Sequence, residues 1–412
     1  MIDFEISEEI REIGNALIKF IDQEVVPLEK KHADLLADPR KMYGPDQRYT
    51  EEFLALRKTV RMKSAEAGFY NVFGAEQLGG MEMGPFTAAH LYEVMNEKYG
   101  PDRPLIHTVV IPSPFTNGLS PILRFLNPDI IDEVCPSIAS GEKTLCCGIS
   151  EPDAGSDVFN MKTTAVKDGD EWVINGTKQW ITNSPYADYC MLFAITDPEA
   201  FKKRTGTGIS GFFIDTKTPG FTVPSVIPVM GAYGSETGIV SLENVRVHKS
   251  RMLGKENQGF KVLMTGVNTG RVGMSASCVG MAKWGLEQSL EYSKTRKTFG
   301  QPIAEYQAIQ IKLAEMAMNI YAARNMVLHC AWKLEKGEKA LKEISIIKAF
   351  CTEMLSKVMD EAIQIHGGMG LTNELKIEAG YRYARIMRIP DGTAEIQRRT
   401  IARQLLSGDT DI

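Results

Sequence analysis

No apolar run in this chain approaches the roughly 18 residues that cross a bilayer, so no membrane-spanning helix is expected. The six histidines (32, 90, 107, 248, 329, 366) form no HExxH and no short-range pair, which argues against a zinc hydrolase and leaves no metal site to assign. There is no G-x-S-x-G elbow and no P-loop. HGGMG, at 366–370, follows a helical pattern instead of a strand, so a dinucleotide fingerprint fails on context. The excess of one charge sign is also small: a formal net charge of -5 argues against a nucleic-acid surface. The seven cysteines (135, 146, 147, 190, 278, 330, 351) are scattered and odd in number, which points to a reducing compartment. The opening MIDFEISEEIREIGNALIKF carries acids where a leader would carry bases, and the expected location is cytoplasmic.

What is present is a globular chain of 412 residues, 43% hydrophobic, with two changes of texture. Apolar residues recur at helical spacing in EEIREIGNALIKFIDQEVVPLEKK and TEEFLALRKTVRMKSAEAGF, with a Pro/Gly loop between them. From about 144 to 250 the pattern turns to strands, as in TTAVKDGDEWVINGTKQWIT, with turns expected at Asp-Gly and Asn-Gly. Beyond Gly259 the helical period returns in segments near 258–293, 302–334 and 338–366. The expected class is α+β, with a helical domain at 1–143, a central antiparallel β domain at 144–252 and a helical bundle at 253–412.

Three stretches could carry chemistry. CGISEPDAGSD (147–157) closes a strand with small and acidic residues that leave backbone N–H groups and hydroxyls open to a phosphate or ring edge, although ordinary turns share that composition. In KQWITNS, Trp180 and Thr182 share one strand face, where an indole could meet a planar ligand; a core Trp beside a surface Thr explains the pair equally. In RIMRIPDGTAEIQRR, Asp391 lies between Pro390 and Gly392 at the start of a helix, and its plain reading is a cap that accepts orphan N–H groups.

Taken together, CGISEPDAGSD, GDEWVINGTKQWITN, LENVRVHKSRMLGKENQGF, SKTRKTFGQPIAEYQAIQIKLAEMA, QIHGGMG and DGTAEIQRR are collinear and spaced as in the acyl-CoA dehydrogenase family, which the chain resembles from about residue 50 to 408. The resemblance implies an FAD enzyme with the three domains above, the last a four-helix bundle, assembled as a homotetramer. By similarity, Ser150 meets the flavin pyrimidine edge, Ser156 a pyrophosphate, and Trp180 and Thr182 the ring. Arg296, Thr298, Gln307, Gly367 and Gly368 resemble the set that holds the adenine end across a subunit interface, and Phe299, Gln364, Thr393 and Glu395 complete the cofactor site. Ser156, Arg271 and Gly392 correspond to positions beside the acyl-CoA. Asp391 stands where the family places the base that removes the α-proton of the thioester, while the β-hydride passes to flavin N5 and electrons go on to an electron-transfer flavoprotein.

The chain departs from the family in several places. The usual base is glutamate, and aspartate is shorter by about 1.5 Å of reach. Gly270, before Arg271, excludes the alternative base position on the bundle helix and leaves room for an acyl group that is branched, cyclic or substituted. Ala379 and Tyr383 replace a basic and an acidic residue, and the 33–49 loop is additional. Two other readings remain open: an oxidase of the same fold resembling nitroalkane oxidase, with Asp391 as base and dioxygen as acceptor, and a non-catalytic flavin or acyl-CoA binding protein.

Overall fold

A computed structural model describes residues 5–411. The elements run helical, then β, then helical. Helices Glu8–Phe20, Glu51–Glu66, Pro85–Tyr99 and Pro128–Ala139 precede the strands, and Gly259–Thr295, Gln307–Glu335, Leu341–His366, Ile377–Met387 and Ala394–Leu406 follow them. The three long helices expected from periodicity are all present, displaced by a few residues at their ends. No described helix is long and apolar enough to cross a membrane.

The chain packs as two compact units. One gathers Gly84–Arg103 and Asn268 onward with the residues up to Lys19; the other comprises Phe20–Met83 and Pro104–Val267. The first stretch of helices is therefore divided, with Pro85–Tyr99 in the helical unit and Glu51–Glu66 in the β unit.

The β unit is built on an eight-stranded sheet: β1 Leu145–Gly148, β2 Thr164–Asp168, β3 Glu171–Thr182, β4 Tyr189–Ile195, β5 Ile209–Asp215, β6 Phe221–Val226, β7 Thr237–His248 and β8 Met252–Leu253. The spatial order is β6-β7-β3-β2-β4-β5-β8, with β1 alongside β4. Most pairs are antiparallel, but β1 and β2 pair with β4 in parallel. β4 is buried along its whole length, as expected of a strand covered on both faces.

The Asp-Gly turn forms as expected: Asp168 pairs with Glu171, and Gly169 takes φ +62°. The Asn-Gly turn does not. Asn175 and Gly176 lie inside the 12-residue β3, and the register against β7 slips between Ile174 and Gly176. A Cβ on Gly176 would lie 2.4 Å from Thr163 Oγ1, so this glycine admits a close backbone approach within a bulge instead of reversing the chain.

The segment at 33–49 is more ordered than its composition suggests. It holds a short helix, Ala33–Leu36, and a Tyr43–Tyr49 bridge. Tyr49 stacks on both Tyr43 and Tyr186, with centroids 5.0 Å apart in each case.

In the helical unit the core joins Val279, Met316, Ile320, Ile347, Leu355 and Val358. Helix Leu341–His366 also buries a polar stripe of Ser345, Lys348 and Thr352, spaced to share one face.

Candidate functional site

Asp391 is not the cap of its helix. Thr393 performs that role, its Oγ1 accepting from Ile396 N at 3.4 Å at the start of Ala394–Leu406. Asp391 instead occupies the left-handed region at φ +56°, followed by Gly392 at φ +90°. Aspartate visits that region more readily than most residues, because its short polar side chain can hydrogen-bond locally and offset the crowding of Cβ against the following carbonyl.

The turn is held through its carbonyl. Arg271, on helix Gly259–Thr295, donates to Asp391 O from Nε at 2.9 Å and from Nη2 at 2.7 Å, and Nη1 reaches Asn268 Oδ1 at 3.3 Å. Gln397 adds Nε2 donations to Asp391 O at 3.1 Å and Gly392 O at 3.0 Å. A Cβ on Gly392 would stand 2.8 Å from that Gln397 nitrogen, so a side chain there would disturb the clamp. Neither Arg271 as a clamp nor Gln397 as a member of the site is legible in the sequence: Arg271 and Asp391 are 120 positions apart, and nothing local marks the pairing.

Burial sets the charge on this turn. Desolvation pushes the Asp391 carboxyl above its ordinary range, while Arg271 and then Lys348 pull it back. Lys348 is wholly buried in helix Leu341–His366; burial pushes its ammonium down to about 8, against the opposing pull of Asp391. Arg271 is also lowered by burial and raised by Asp391.

The other expected residues of the helical unit lie at its surface. Arg296, Gln307, Gln364, Gly367, Gly368 and Glu395 are exposed, Thr298 and Thr393 are half-buried, and Phe299 is 98% exposed with φ +49°. An added Cβ on Gly367 or Gly368 would meet no atom within 4 Å, so the HGGMG turn presents open backbone. Glu395 is held below its ordinary range, first by a bond to its own backbone N–H and then by Thr393.

In the β unit, Trp180 and Thr182 do share the exposed face of β3, with Ile181 buried between them. Trp180 is 54% exposed and sits in a bulge at φ +65°, an uncommon conformation for so large a residue. The loop after β1 is tied to the same strand, since Gln179 N donates to Ser150 O at 2.9 Å. Ser150 is half-buried and Ser156 exposed.

A residue read only as one of the loop's acids anchors it: Glu151, buried, accepts from Lys178 Nζ at 2.7 Å, Lys162 N at 2.6 Å and Thr163 N at 3.1 Å. Burial acting alone would raise the Glu151 carboxyl, but Lys178 and the two amides bring it below its ordinary value. The loop is drawn inward through Glu151, Ser150 is tied to Gln179, the residue before Trp180, and Ser156 stays exposed. Trp180, Ser150 and Ser156 on the β unit thus fit a flat ring with a phosphate tail, and the open Gly367–Gly368 backbone on the helical unit suits close approach of a ligand.

Comparison with known proteins agrees with this chemistry. Residues 146–245 match the model of the acyl-CoA dehydrogenase middle domain, and residues 257–406 that of the acyl-CoA dehydrogenase C-terminal domain. The Bacillus subtilis protein named "Probable acyl-CoA dehydrogenase YngJ" is 43% identical over 290 residues, 70% of this chain and 75% of that one. The caffeyl-CoA reductase-Etf complex subunit CarC of Acetobacterium woodii is 33% identical over 344 residues, 84% of this chain and 88% of its own. Among solved structures, acyl-CoA dehydrogenase from Geobacillus kaustophilus superposes with a TM-score of 0.82 at 28% identity, covering 97% of this chain and 98% of that one.

Proposed function

The chain belongs to the acyl-CoA dehydrogenase family, an FAD-dependent group of oxidoreductases acting on CH-CH donors, and from that premise we propose that it desaturates an acyl-CoA at Cα–Cβ with Asp391 as the base. The observation that carries the reading is the turn itself: Asp391 is half-buried with burial raising its carboxyl, its capping role is taken by Thr393, and its backbone is clamped by Arg271 and Gln397.

Burial raises the proton affinity of the carboxylate, as a base facing a weakly acidic C–H requires. Asp391 would take the α-proton onto a carboxylate oxygen as the Cα electron pair forms the double bond. The Asp391 backbone N–H would donate to the thioester oxygen, where negative charge develops. Arg271 keeps that amide and carboxylate in fixed relation by holding the carbonyl of the same residue. FAD, when bound, supplies the acceptor for the hydride that leaves Cβ. Trp180, Thr182, Ser150 and Ser156 would hold it from the β unit. Arg296, Thr298, Phe299, Gln307, Gln364, Gly367, Gly368, Thr393 and Glu395 would hold it from helical units. The full exposure of Phe299 supports a site completed by a second copy, within a homotetramer. Electron-transfer flavoprotein as the partner is supported by the Etf complex named for the A. woodii relative. That relative is a reductase, and the same groups would serve enoyl reduction, with Asp391 returning its proton to Cα.

A panel of straight, branched, cyclic and aromatic acyl-CoAs, mixed anaerobically with holoenzyme, tests the reading. At least one class should bleach the oxidised flavin, and the reduced flavin should resist air while product is bound. Rapid reoxidation by dioxygen would favour the oxidase reading, and the absence of bleaching with every thioester a binding protein.

The short base makes a further prediction. Asp391→Glu adds about 1.5 Å of reach, on the order of a displacement that changes rates a hundredfold. The kcat/KM for straight-chain thioesters should rise relative to branched or cyclic ones, and an unchanged ratio would remove the idea that the aspartate adapts the site to unusual acyl groups.

A further inference from the structure

The buried stripe on helix Leu341–His366 contains an atom that the fold leaves unused. Lys348 is 0% exposed, and its Nζ has no hydrogen-bond partner among the described residues. Its neighbours on the stripe cannot serve it: Ser345 Oγ donates to Leu341 O at 3.0 Å and Thr352 Oγ1 to Lys348 O at 2.9 Å, both turned back on their own helix. Leaving an ammonium desolvated and unbonded is costly, so a purely structural position would be filled more favourably by an apolar side chain. Among the described residues, Asp391, Cys278 and Glu395 favour its charged form and Arg271 opposes it, while Arg271 and then Lys348 favour the charged form of Asp391. Arg271 has both Nε and Nη2 engaged on the main-chain carbonyl of Asp391, so its contribution is to the backbone of the turn. Gln397 likewise directs its amide nitrogen to the carbonyls of Asp391 and Gly392.

We propose that Lys348 is a positioning residue for the reaction: an internal ammonium that acts through Asp391, keeping its carboxylate ionised inside the desolvated bundle without binding it tightly enough to turn it from the substrate. The division of labour follows from the hydrogen bonds. Arg271 and Gln397 hold the turn, and Lys348 supplies the counter-charge. When Asp391 receives the α-proton the pair loses its attraction, and the ammonium then favours return of the carboxylate to its anionic form once product leaves. The inference rests on Asp391 being the base.

Lys348→Met and Lys348→Gln, both neutral, separate loss of charge from a packing defect peculiar to either. Holoenzymes labelled with [4-13C]aspartate are titrated by isotope-edited infrared spectroscopy, with Asp391→Asn identifying the band of this residue, and flavin reduction by the best acyl-CoA is followed over the same pH range. In both neutral variants the protonated carboxyl band should persist to higher pH than in the wild type. Flavin reduction in the variants should fall furthest below wild type at the acidic end of the range and recover toward it as pH rises, since each unit by which the carboxyl shifts is a factor of ten in its ionised fraction. A loss of rate that is uniform in pH, with the band unmoved, would assign Lys348 a structural role only and overturn the proposal. If no thioester bleaches the flavin, the proposed function fails, while the infrared titration still decides whether Lys348 governs the ionisation of Asp391.

Discussion

Asp391→Asn is expected to retain FAD and acyl-CoA binding while flavin reduction falls by about 10²- to 10⁴-fold, the usual scale for loss of a positioned base. The substitution isolates the chemistry because the turn does not depend on the carboxylate. Arg271 and Gln397 grip the carbonyl of residue 391, which asparagine keeps. The helix is capped by Thr393, and asparagine accepts φ near +56° as readily as aspartate. Anaerobic stopped-flow measurement of flavin bleaching, with the visible flavin spectrum as the check on cofactor content, reads the result. Retention of more than about a tenth of the wild-type rate would remove Asp391 from the mechanism.

The second large effect is on stability and lies in the β unit. Lys178→Met should destabilise the protein by about 3–5 kcal/mol, because it strands the Glu151 carboxylate in the interior and also removes the donor to Ile149 O at 3.2 Å. Glu151 would keep the amides of Lys162 and Thr163, too little to replace an ammonium that is itself 0% exposed. Urea unfolding followed by circular dichroism measures the loss, and the 149–157 loop should exchange its amide hydrogens faster. The double variant Lys178→Met/Glu151→Gln should recover most of the difference, since no uncompensated charge remains.

The pH dependence of this anchor follows from its sign. The folded-state proton affinity of Glu151 lies below that of the unfolded chain, so its contribution is present above the ordinary glutamate range and disappears as pH falls through and below that range. FAD affinity should weaken over the same interval, because the loop bearing Ser150 and Ser156 is drawn into place through Glu151.

Much of this molecule is set by local order. Apolar residues at helical spacing specified the long helices after Gly259, and alternation specified β2 and β3, because burial of one face requires those periods whatever the partner. Asp-Gly at 168–169 turned the chain for a local reason, φ at Gly169. The order of the six motifs was enough to indicate the family.

Tertiary packing decided the remainder. Asn175-Gly176 has the same turn chemistry as Asp168-Gly169, yet it became a bulge because Thr163 comes close from a neighbouring segment, which no local rule contains. Asp391 read as a cap and is not one, since Thr393 takes the amide and Arg271, 120 residues away, takes the carbonyl. The Glu151–Lys178 pair and the unbonded ammonium of Lys348 are equally silent in sequence, where a lysine in a helix or strand reads as a solvated residue. The electrostatic character of the site depends on desolvation and on charges brought together from distant segments, and both exist only after the chain has packed.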